Sequence, residues 1–311
     1  MADDELATAL AAERAIVRRA VADVREIDGG WVLRHPPLPD VWHLNRVHLT
    51  GSAGALEVDW LEALVARELD GVPHRRVTLD DPRAGGTVWP ALEDRGWRRE
   101  RVVVMVRNVR DARGVRGVRD ARGVRDARDA RDARGVRDAR DARDQGRSRA
   151  EPVVAGGVVA REIDSAALCA FQRLAFSEDA PASPSSAELP ARIAGTQAAL
   201  RAGTDWRAFG AGEAGGELPA STATLYLDPA VGGENGLQPR RVAFVDQVAT
   251  LRSYRERGLA HAVMAAALAA AASWDAELVA LFADADDWPQ VFYASLGFVT
   301  VGRQTAFHRD A

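Results

Sequence analysis

The chain has 311 residues, a formal net charge of −4 at neutral pH and 47% hydrophobic residues. This length predicts about two domains, and the slightly acidic balance excludes a protein that is a nucleic-acid-binding polycation throughout. The single cysteine, Cys169, excludes an internal disulfide. Neither a leader peptide nor an apolar run of about 20 residues is found, so we expect a cytoplasmic protein that does not contact a membrane.

The first 109 residues alternate between helical and strand patterns. Apolar residues at helical spacing predict helices, and strict alternation predicts half-buried strands. The predicted order is a helix over 6–24, strands over 29–36 and 42–50, a helix over 59–69, a strand over 74–81, a helix over 88–96 and a strand over 101–109.

Residues 110–150 differ in composition from everything around them. Between 110 and 144, Arg recurs at every third position, and the segment holds 12 Arg and 8 Asp. A period of three places apolar residues on no single face of a helix or a strand, which favours a solvated low-complexity linker. A tether to nucleic acid is the alternative, but the interleaved Asp and the lack of aromatic residues argue against a nucleic-acid partner.

Helix and strand patterns return after residue 150. A strand, a turn, a helix and a strand follow one another near the end of the chain, and this order predicts parallel strand pairing there. The predicted elements are a helix over 164–176 capped by Asp164, a loop over 177–190, a hairpin over 205–228 turning at Gly215 and Gly216, a loop over 231–240, a strand over 241–251, a helix after Gly258, a strand over 276–285, a short helix after Pro289 and a strand over 298–309.

The turn between the strand at 241–251 and the next helix contains Arg255, Arg257 and Gly258. The first turn of a helix has unpaired N–H groups and the positive end of the helix dipole, so an anion such as a phosphate can bind there. Gly258 and Ala260 keep the backbone accessible to such an anion. We interpret this turn as a candidate phosphate site, with an ordinary surface loop as the alternative.

This turn and a second motif resemble the GNAT superfamily of acyl-CoA-dependent N-acetyltransferases. The family's loop is Arg/Gln-x-x-Gly-x-Gly/Ala, which Arg255, Gly258 and Ala260 fit. Its second hallmark is a Tyr four residues before a Gly-Phe pair, here Tyr293 before the pair at 297–298. The resemblance covers residues from about 153 to 311. It implies an α/β fold in which a mixed, mostly antiparallel sheet is flanked by helices.

The resemblance also implies that acetyl-CoA is the acyl donor and assigns roles to individual residues. The backbone at Val248, Ala249 and Thr250 would bind the pantetheine arm, and the Tyr293 hydroxyl would protonate the leaving thiolate. Asp286 stands where many members have Asn, and it is a further candidate contact. The candidate pyrophosphate-binding turn comprises Arg255, Glu256, Arg257, Gly258, Leu259, Ala260 and His261, with Glu256 at a position where Gly is frequent.

Amine attack on a thioester requires a group that accepts a proton from the amine. Asp246, on the strand that precedes the turn and predicted to lie on the same strand face as Val248 and Thr250, is the candidate general base, and a solvated strand charge is the alternative. Cys169 could act as a nucleophile, but its apolar surroundings favour a core cysteine. The six histidines show no metal-ligand spacing, so we expect no metal. His261 could contact a phosphate or lie on the surface.

The N-terminal part resembles a degenerate second copy of the same unit. Residues 92–106 parallel 293–307 as a helix end, a Gly, an aromatic residue and a strand. Leu92 takes the position of Tyr293, and no Arg-x-x-Gly-x-Gly/Ala stretch precedes the helix at 59–69. We therefore expect a tandem GNAT arrangement, similar to that of mycothiol synthases. It would consist of a degenerate domain at 1–109, a linker at 110–150 and an acetyltransferase domain at 151–311.

Three functions are compatible with the sequence. The first is acetyl transfer from acetyl-CoA to a primary amine of a small molecule or a peptide by direct attack. The second is an acyl-CoA-binding regulator that has lost catalysis, although a pure binder has no need of the Tyr293 hydroxyl. The third is nucleic-acid attachment through the Arg-rich repeat. The sequence leaves the acceptor amine and the oligomeric state open.

Overall fold

The computed structural model describes residues 2–51, 56–109, 153–155, 158–179, 189–201, 204–213, 218–231 and 239–311. The Arg/Asp repeat at 110–144 and the predicted turn at Gly215 and Gly216 lie outside these residues. Most of the two predicted loops at 177–190 and 231–240 also lie outside them.

The N-terminal part follows the predicted order with one strand added. The sequence prediction misses the first strand because it assigns residues up to 24 to the helix. A 3₁₀ turn at Trp42–Leu44 replaces the start of the predicted strand at 42–50. The elements are helix α1 (Ala2–Ala20), strands β1 (Asp23–Ile27), β2 (Gly30–Arg34) and β3 (Arg46–Leu49), helix α2 (Val58–Glu68), strand β4 (His74–Leu79), helix α3 (Pro82–Asp94) and strand β5 (Arg98–Asn108).

The C-terminal part contains all the predicted strands, together with one helix and two strands, those before the first predicted helix, that the sequence prediction misses. That helix, α5, is rich in small residues and shows little apolar periodicity in its sequence. The elements are strands β6 (Val153–Ala155) and β7 (Val158–Ile163), helices α4 (Ser165–Asp179) and α5 (Leu189–Arg201), strands β8 (Asp205–Ala211), β9 (Ser221–Val231) and β10 (Arg240–Thr250), helix α6 (Leu259–Ser273), strand β11 (Leu278–Asp284), helix α7 (Pro289–Ser295) and strand β12 (Val299–Asp310).

The described strands form one sheet of 12 strands in the order β1-β2-β3-β4-β12-β5-β11-β10-β9-β8-β7-β6. Two neighbouring pairs are parallel, β3 with β4 and β10 with β11, and the other pairs are antiparallel. The predicted α/β fold with a mixed, mostly antiparallel sheet is therefore confirmed. The two parts share this sheet, because strands of the N-terminal part are hydrogen-bonded to strands of the C-terminal part.

The two parts exchange their last strands at the centre of the sheet. Strand β5 of the N-terminal part lies between β11 and β12, and β12 of the C-terminal part lies between β5 and β4. Each part therefore supplies an internal strand to the other, and the two are interlocked by backbone hydrogen bonds. No local pattern in the sequence predicts this pairing, because it joins residues about 200 positions apart.

Helices cover both faces of the sheet. On one face, α6 packs over β7, β8, β9 and β10, in an apolar cluster that also includes Tyr293 and Phe298. On the other face, α1 packs against β5, β9, β10 and β12, in a second cluster. A third cluster, beneath α2 and α3, fills the core of the N-terminal part. None of the described helices is both long and apolar enough to cross a membrane.

The ends of α3 and α7 repeat the same local geometry. The Gly after each helix is left-handed, with φ of 80° at Gly96 and 84° at Gly297, a conformation that favours glycine. The next amide bonds back to the helix in both places: Trp97 N donates to Leu92 O at 3.0 Å, and Phe298 N donates to Tyr293 O at 3.1 Å. Leu92 and Tyr293 are thus structurally equivalent.

Candidate active site

Strands β10 and β11 separate part of the way along their length. Their parallel pairing runs from Val242 opposite Leu278 to Val245 opposite Leu281 and stops there in the part of the chain that the structure describes. Strand β10 continues for five more residues to Thr250, still paired with β9 on its other side. The edge of β10 that faces β11 is therefore available to an extended ligand over these five residues.

A β-bulge lies at the point where the strands separate. The register between β10 and β9 shifts between Asp246 and Ala249, and Gln247 has a left-handed φ of 53°. Such a conformation is rare for a residue with a Cβ and is frequent at functional sites. The bulge changes which face the following side chains occupy, so the alternation of the strand is interrupted at the site.

The glycine turn follows β10 directly and begins α6. Gly258 is the N-cap residue with φ of 79°, and the first amide to close a helical bond is that of Ala262, which donates to Gly258 O at 3.1 Å. The earlier amides of the first turn are then available to an anion, as at other helix N-termini. Among the described residues, a Cβ at Gly258 would meet only Val158, at 3.9 Å, which leaves room above the backbone of this turn.

Charged side chains surround this turn. Arg255 Nε donates to Thr250 O at 3.3 Å, and the Arg257 guanidinium lies 5.1 Å from the centre of the Tyr254 ring. Glu256 is exposed and has a left-handed φ of 62°. Its backbone conformation is one that glycine adopts without strain, which explains why a glycine suits this position.

Tyr293 lies in α7, in the apolar cluster beneath α6, and is 8% exposed. Its ring contacts Phe292 and Phe298, with ring centres 5.2 and 6.1 Å apart. Burial and, less strongly, the negative charge of Asp246 raise the pKa of Tyr293 to about 12. The phenol therefore keeps its proton at neutral pH and can serve as a proton donor.

Asp246 lies at the bulge and accepts a hydrogen bond from the backbone amide of Gln247 at 2.8 Å. Burial, opposed by this hydrogen bond and reinforced by the charge of Glu13, raises the pKa of Asp246 to about 6. A carboxylate with a pKa close to the working pH is well suited to accept a proton from an amine. Asp246 is near enough to Tyr293 for its negative charge to contribute to the raised pKa of the phenol, as expected for two groups of one site.

The sequence prediction that Asp246 shares a strand face with Val248 and Thr250 is wrong. Phe244, which precedes Asp246 by two residues, belongs to the cluster on the α1 face, whereas Val248 packs in the cluster on the α6 face. The extra residue at the bulge causes this change of face. Asp246 therefore approaches the gap between the strands from the α1 side, and the predicted cofactor-binding segment begins after it.

Comparison with known families identifies this part of the chain. Residues 170–298 match the model of the acetyltransferase (GNAT) family. This segment is a GNAT domain. It contains the separated strands, the glycine turn, Asp246 and Tyr293.

Solved structures similar to nearly the whole chain have the same fold. A functionally unknown conserved protein from Staphylococcus epidermidis is 12% identical, with a TM-score of 0.57 and 92% of each chain covered. A GCN5-related N-acetyltransferase from Kribbella flavida is 18% identical, with a TM-score of 0.53, and the match covers 99% of this chain and 96% of that one. A weaker likeness is to a tandem GNAT protein from the clavulanic acid biosynthesis pathway, 14% identical with a TM-score of 0.45, covering 81% of this chain and 68% of that one. No match was found among curated proteins.

Two other residues that the sequence predicts to contact the cofactor are Asp286 and His261. Asp286 follows β11, and its carboxylate forms an ion pair with Arg101 of β5 through both Nε and Nη2 of the guanidinium. His261 is exposed in the first turn of α6, and its ring lies 4.9 Å from that of Phe292. Cys169 is a free, half-buried cysteine on α4. Among the described residues, no group of His, Cys, Asp and Glu could hold a metal ion.

A cavity of about 630 Å³ opens beside the bulge, between the GNAT domain and the N-terminal part. Helices α4 and α5 and Gln247 of the bulge line one side, and the segment 40–43, the start of β4 and Asp310 line the other. Its size is typical of small-molecule sites. Because residues of both parts line it, the N-terminal part contributes a wall of the candidate site.

Three glutamines at the inner side of this cavity were missed by sequence reasoning. Gln247 Oε1 accepts hydrogen bonds from Nε2 of Gln172, on α4, and from Nε2 of Gln197, on α5, the latter at 2.6 Å. Gln172 and Gln197 are 4% and 2% exposed. Glutamines belong to no recognisable short motif, and only the left-handed conformation of Gln247, which sequence does not reveal, brings the three together.

The corresponding place in the N-terminal part is closed. Strands β3 and β4 pair as far as Leu49 opposite Leu79, and the Asp80 amide adds a bond to Leu49 O at 3.0 Å. The Asp80 carboxylate contacts Arg14 at 2.6 Å, His48 at 2.9 Å and Gln304 at 2.8 Å. Burial would raise the pKa of Asp80, but these partners lower it to about 2. Strands β3 and β4 therefore leave no gap between them for an extended ligand over the residues that the structure describes.

Proposed function

We propose that the protein is an acetyl-CoA-dependent N-acetyltransferase that acetylates a primary amine of a small molecule or a peptide by direct attack. The observation that carries this proposal is the coincidence of three features in one place. The open edge of β10 leads directly into the glycine turn, and Tyr293 and Asp246 flank the point where β10 and β11 separate.

The described residues fit acetyl-CoA. The backbone of Val248, Ala249 and Thr250 would hold the pantetheine arm along the open edge of β10. The amides from Arg257 to His261 would hold the pyrophosphate, because the first turn of α6 is accessible above Gly258. Arg255 and Arg257 supply the positive charge that two phosphates require.

When bound, acetyl-CoA supplies a thioester whose carbonyl carbon is the electrophile. The amine must be neutral to attack, and Asp246 accepts the proton that the amine loses. The Tyr293 hydroxyl donates its proton to the sulfur as the carbon–sulfur bond breaks. The raised pKa of each group keeps Tyr293 protonated and places the pKa of Asp246 near 6, so each is in the required form at pH 7.

Titration calorimetry with acetyl-CoA, followed by an amine panel in which released thiol is measured, tests this proposal. We expect binding in the micromolar range or tighter and amine-dependent thiol release. Binding without release from any amine would support the alternative of an acyl-CoA-binding regulator. Absence of binding would contradict both functions.

A further inference from the structure

The chemistry of the cavity beside the bulge indicates which amines the site takes, and this inference rests on the proposed N-acetyltransferase activity. The inner side of the cavity is neutral and polar. Gln172 lines it, is 4% exposed, and its Oε1 finds no hydrogen-bond partner among the described residues. An amine donates hydrogen bonds, so an amine at the inner side would supply the donor that this oxygen lacks.

The outer side of the cavity carries two carboxylates close to each other. Asp310 lies opposite His74 in the β4–β12 register, and Asp40 is near enough to His74 to raise its pKa against the larger, lowering effect of burial. Both Asp side chains are exposed and line the cavity. Together they make this outer side negative, which favours a cation.

The groups around these two carboxylates are neutral histidines, and arginines of which most do not line the cavity. Burial lowers the pKa of His74, and burial together with nearby arginines lowers the pKa of His43 to about 4, so both rings are neutral at pH 7. Arg76 is paired with Glu100 at 2.8 Å. Arg75 also lies near His74, and its guanidinium donates to nearby backbone carbonyls and does not line the cavity. Among the described residues that line the cavity, two carboxylates, Asp40 and Asp310, face one guanidinium, that of Arg192.

An aromatic side chain adds to the outer side. Trp42 lines the cavity close to Asp40 in the chain and is 36% exposed. Its ring is held by contacts with His308 and His74, with ring centres 4.3 and 6.0 Å away. The Arg76 guanidinium already lies 5.9 Å from the centre of this ring, so the exposed part of the indole is suited to cover the methylene groups of an aliphatic chain.

We propose that the acceptor is a small aliphatic diamine or polyamine. One amine reaches the inner side beside Gln172 and the bulge and is acetylated there. A second, charged amine stays at the outer side between Asp40 and Asp310. The N-terminal part of the chain thereby selects the substrate, because it supplies Asp40 and Trp42.

Three probes of the same chain length test this proposal on the full-length protein. At the far end of the chain, putrescine carries a second amine, butylamine carries only a methyl group, and γ-aminobutyrate carries a carboxylate that would pair with Arg192. We expect kcat/KM for putrescine to exceed that for each of the other two by about 10-fold or more. Asp40→Asn combined with Asp310→Asn should remove most of this preference and leave the value for butylamine unchanged, because exposed ion pairs contribute modestly but selectively.

A preference for γ-aminobutyrate that Arg192→Gln abolishes would overturn the proposal and indicate an amino-acid acceptor. Equal values for putrescine and butylamine would overturn it as well. Calorimetry with putrescine in the presence of CoA separates this inference from the proposed activity. Putrescine that binds, and binds more weakly to the double Asp variant, supports the diamine site even if no thiol is released, in which case the acetyltransferase proposal alone fails.

Discussion

The β10–α6–β11 unit and the β3–α2–β4 unit have the same order of elements, but only the first has the features of a ligand-binding site. Each consists of two parallel strands joined by a helix, and each continues into a helix, a left-handed glycine and a strand that crosses into the other part. Over the residues that the structure describes, only the first unit has separated strands and a glycine-capped helix. In the second, the strands pair to their ends, and the N-cap residue of α2 is Glu57 and not a glycine.

The difference shows which residues the fold requires and which the chemistry requires. Gly96 and Gly297 are both retained, because a helix that ends in a left-handed turn needs glycine in either unit. Leu92 and Tyr293 are both buried beneath a helix, but only Tyr293 carries a hydroxyl. Where the GNAT domain has an open strand edge, the N-terminal part has the buried Asp80 network. The two units thus share packing positions, and only the first combines them with the features of the candidate site.

The largest expected effect is that of Gly258→Asp on acetyl-CoA binding. The substitution places a carboxylate where phosphates would bind and forces a side chain into a φ of 79°. We expect calorimetry to show affinity reduced by about 100-fold or more. Gly71→Asp is the matched control, since Gly71 has φ of 77° and a Cβ added there would meet no atom within 4 Å; it should leave the affinity unchanged. Equal affinities of the two variants would contradict the phosphate site.

Asp246→Asn should reduce kcat by about 100-fold, because it removes the proton acceptor and keeps the side-chain volume and the bond from Gln247. In the unmodified protein, kcat/KM should rise with pH more steeply below about 6 than above it, since below this value both Asp246 and the amine must lose a proton. The variant should show only the rise that the amine causes. A variant with the same pH profile as the unmodified protein would show that another group is the base.

The same substitution should stabilise the fold at pH 7. Because the folded-state pKa of Asp246 is raised, from 3.8 to about 6, the folded protein binds a proton more tightly than the unfolded chain. Folding stability is therefore lost as the pH rises from about 4 to 6. We expect Asp246→Asn to raise Tm at pH 7 and to have little effect at pH 4, as thermal unfolding at both values would show.

Tyr293→Phe should lower kcat by about 10-fold or more and leave both Tm and the KM for acetyl-CoA nearly unchanged. The hydroxyl acts only as the thiolate leaves, so its loss affects the transition state and not the bound substrate. Leu92→Ala is the complementary variant in the other unit. It should lower stability by about 2–5 kcal/mol through the cavity it creates without changing the kcat of the folded protein. An unchanged kcat in Tyr293→Phe would leave Tyr293 as a packing residue.

The sequence predicted most of the elements and the position of the glycine turn, because these depend on local patterns. The period-2 and helical patterns placed most of the strands and helices, and the Tyr-x-x-x-Gly-Phe spacing identified the helix end at Tyr293. Capping shifted boundaries: α3 begins earlier than predicted because Asp81 accepts a bond from Arg83 N at 2.8 Å. Helix α5 and strands β1, β6 and β7 were not predicted from the sequence.

Features that depend on distant residues could not be predicted in this way. The exchange of β5 and β12 joins segments far apart in the chain, and the wall that Asp40 and Trp42 contribute to the cavity follows from that exchange. The bulge at Gln247 reverses the face of Val248 relative to Asp246, although the sequence over 241–251 reads as a regular strand. A polar residue in a left-handed conformation gives no signal in sequence.

The smallest expected effect is that of cutting the chain between its two parts. Strand β5 pairs with β11 from Asn108 opposite Leu278 to Val102 opposite Asp284, and with β12 on its other side. These pairings, and those between β12 and β4, join the parts without the help of residues 110–144. Backbone ladders at the centre of a sheet, covered by helices on both faces, are among the last contacts of a protein to open.

We therefore expect a specific protease site introduced within 110–144 to be cut without separating the parts. The two fragments should elute together in gel filtration, and acetyl-CoA affinity and kcat should remain within about twofold of the uncut values. Denaturant should separate the fragments, and their refolding should become dependent on concentration, since cutting makes the association bimolecular. Fragments that separate in native buffer would show that the segment, and not the exchanged strands, holds the two units together.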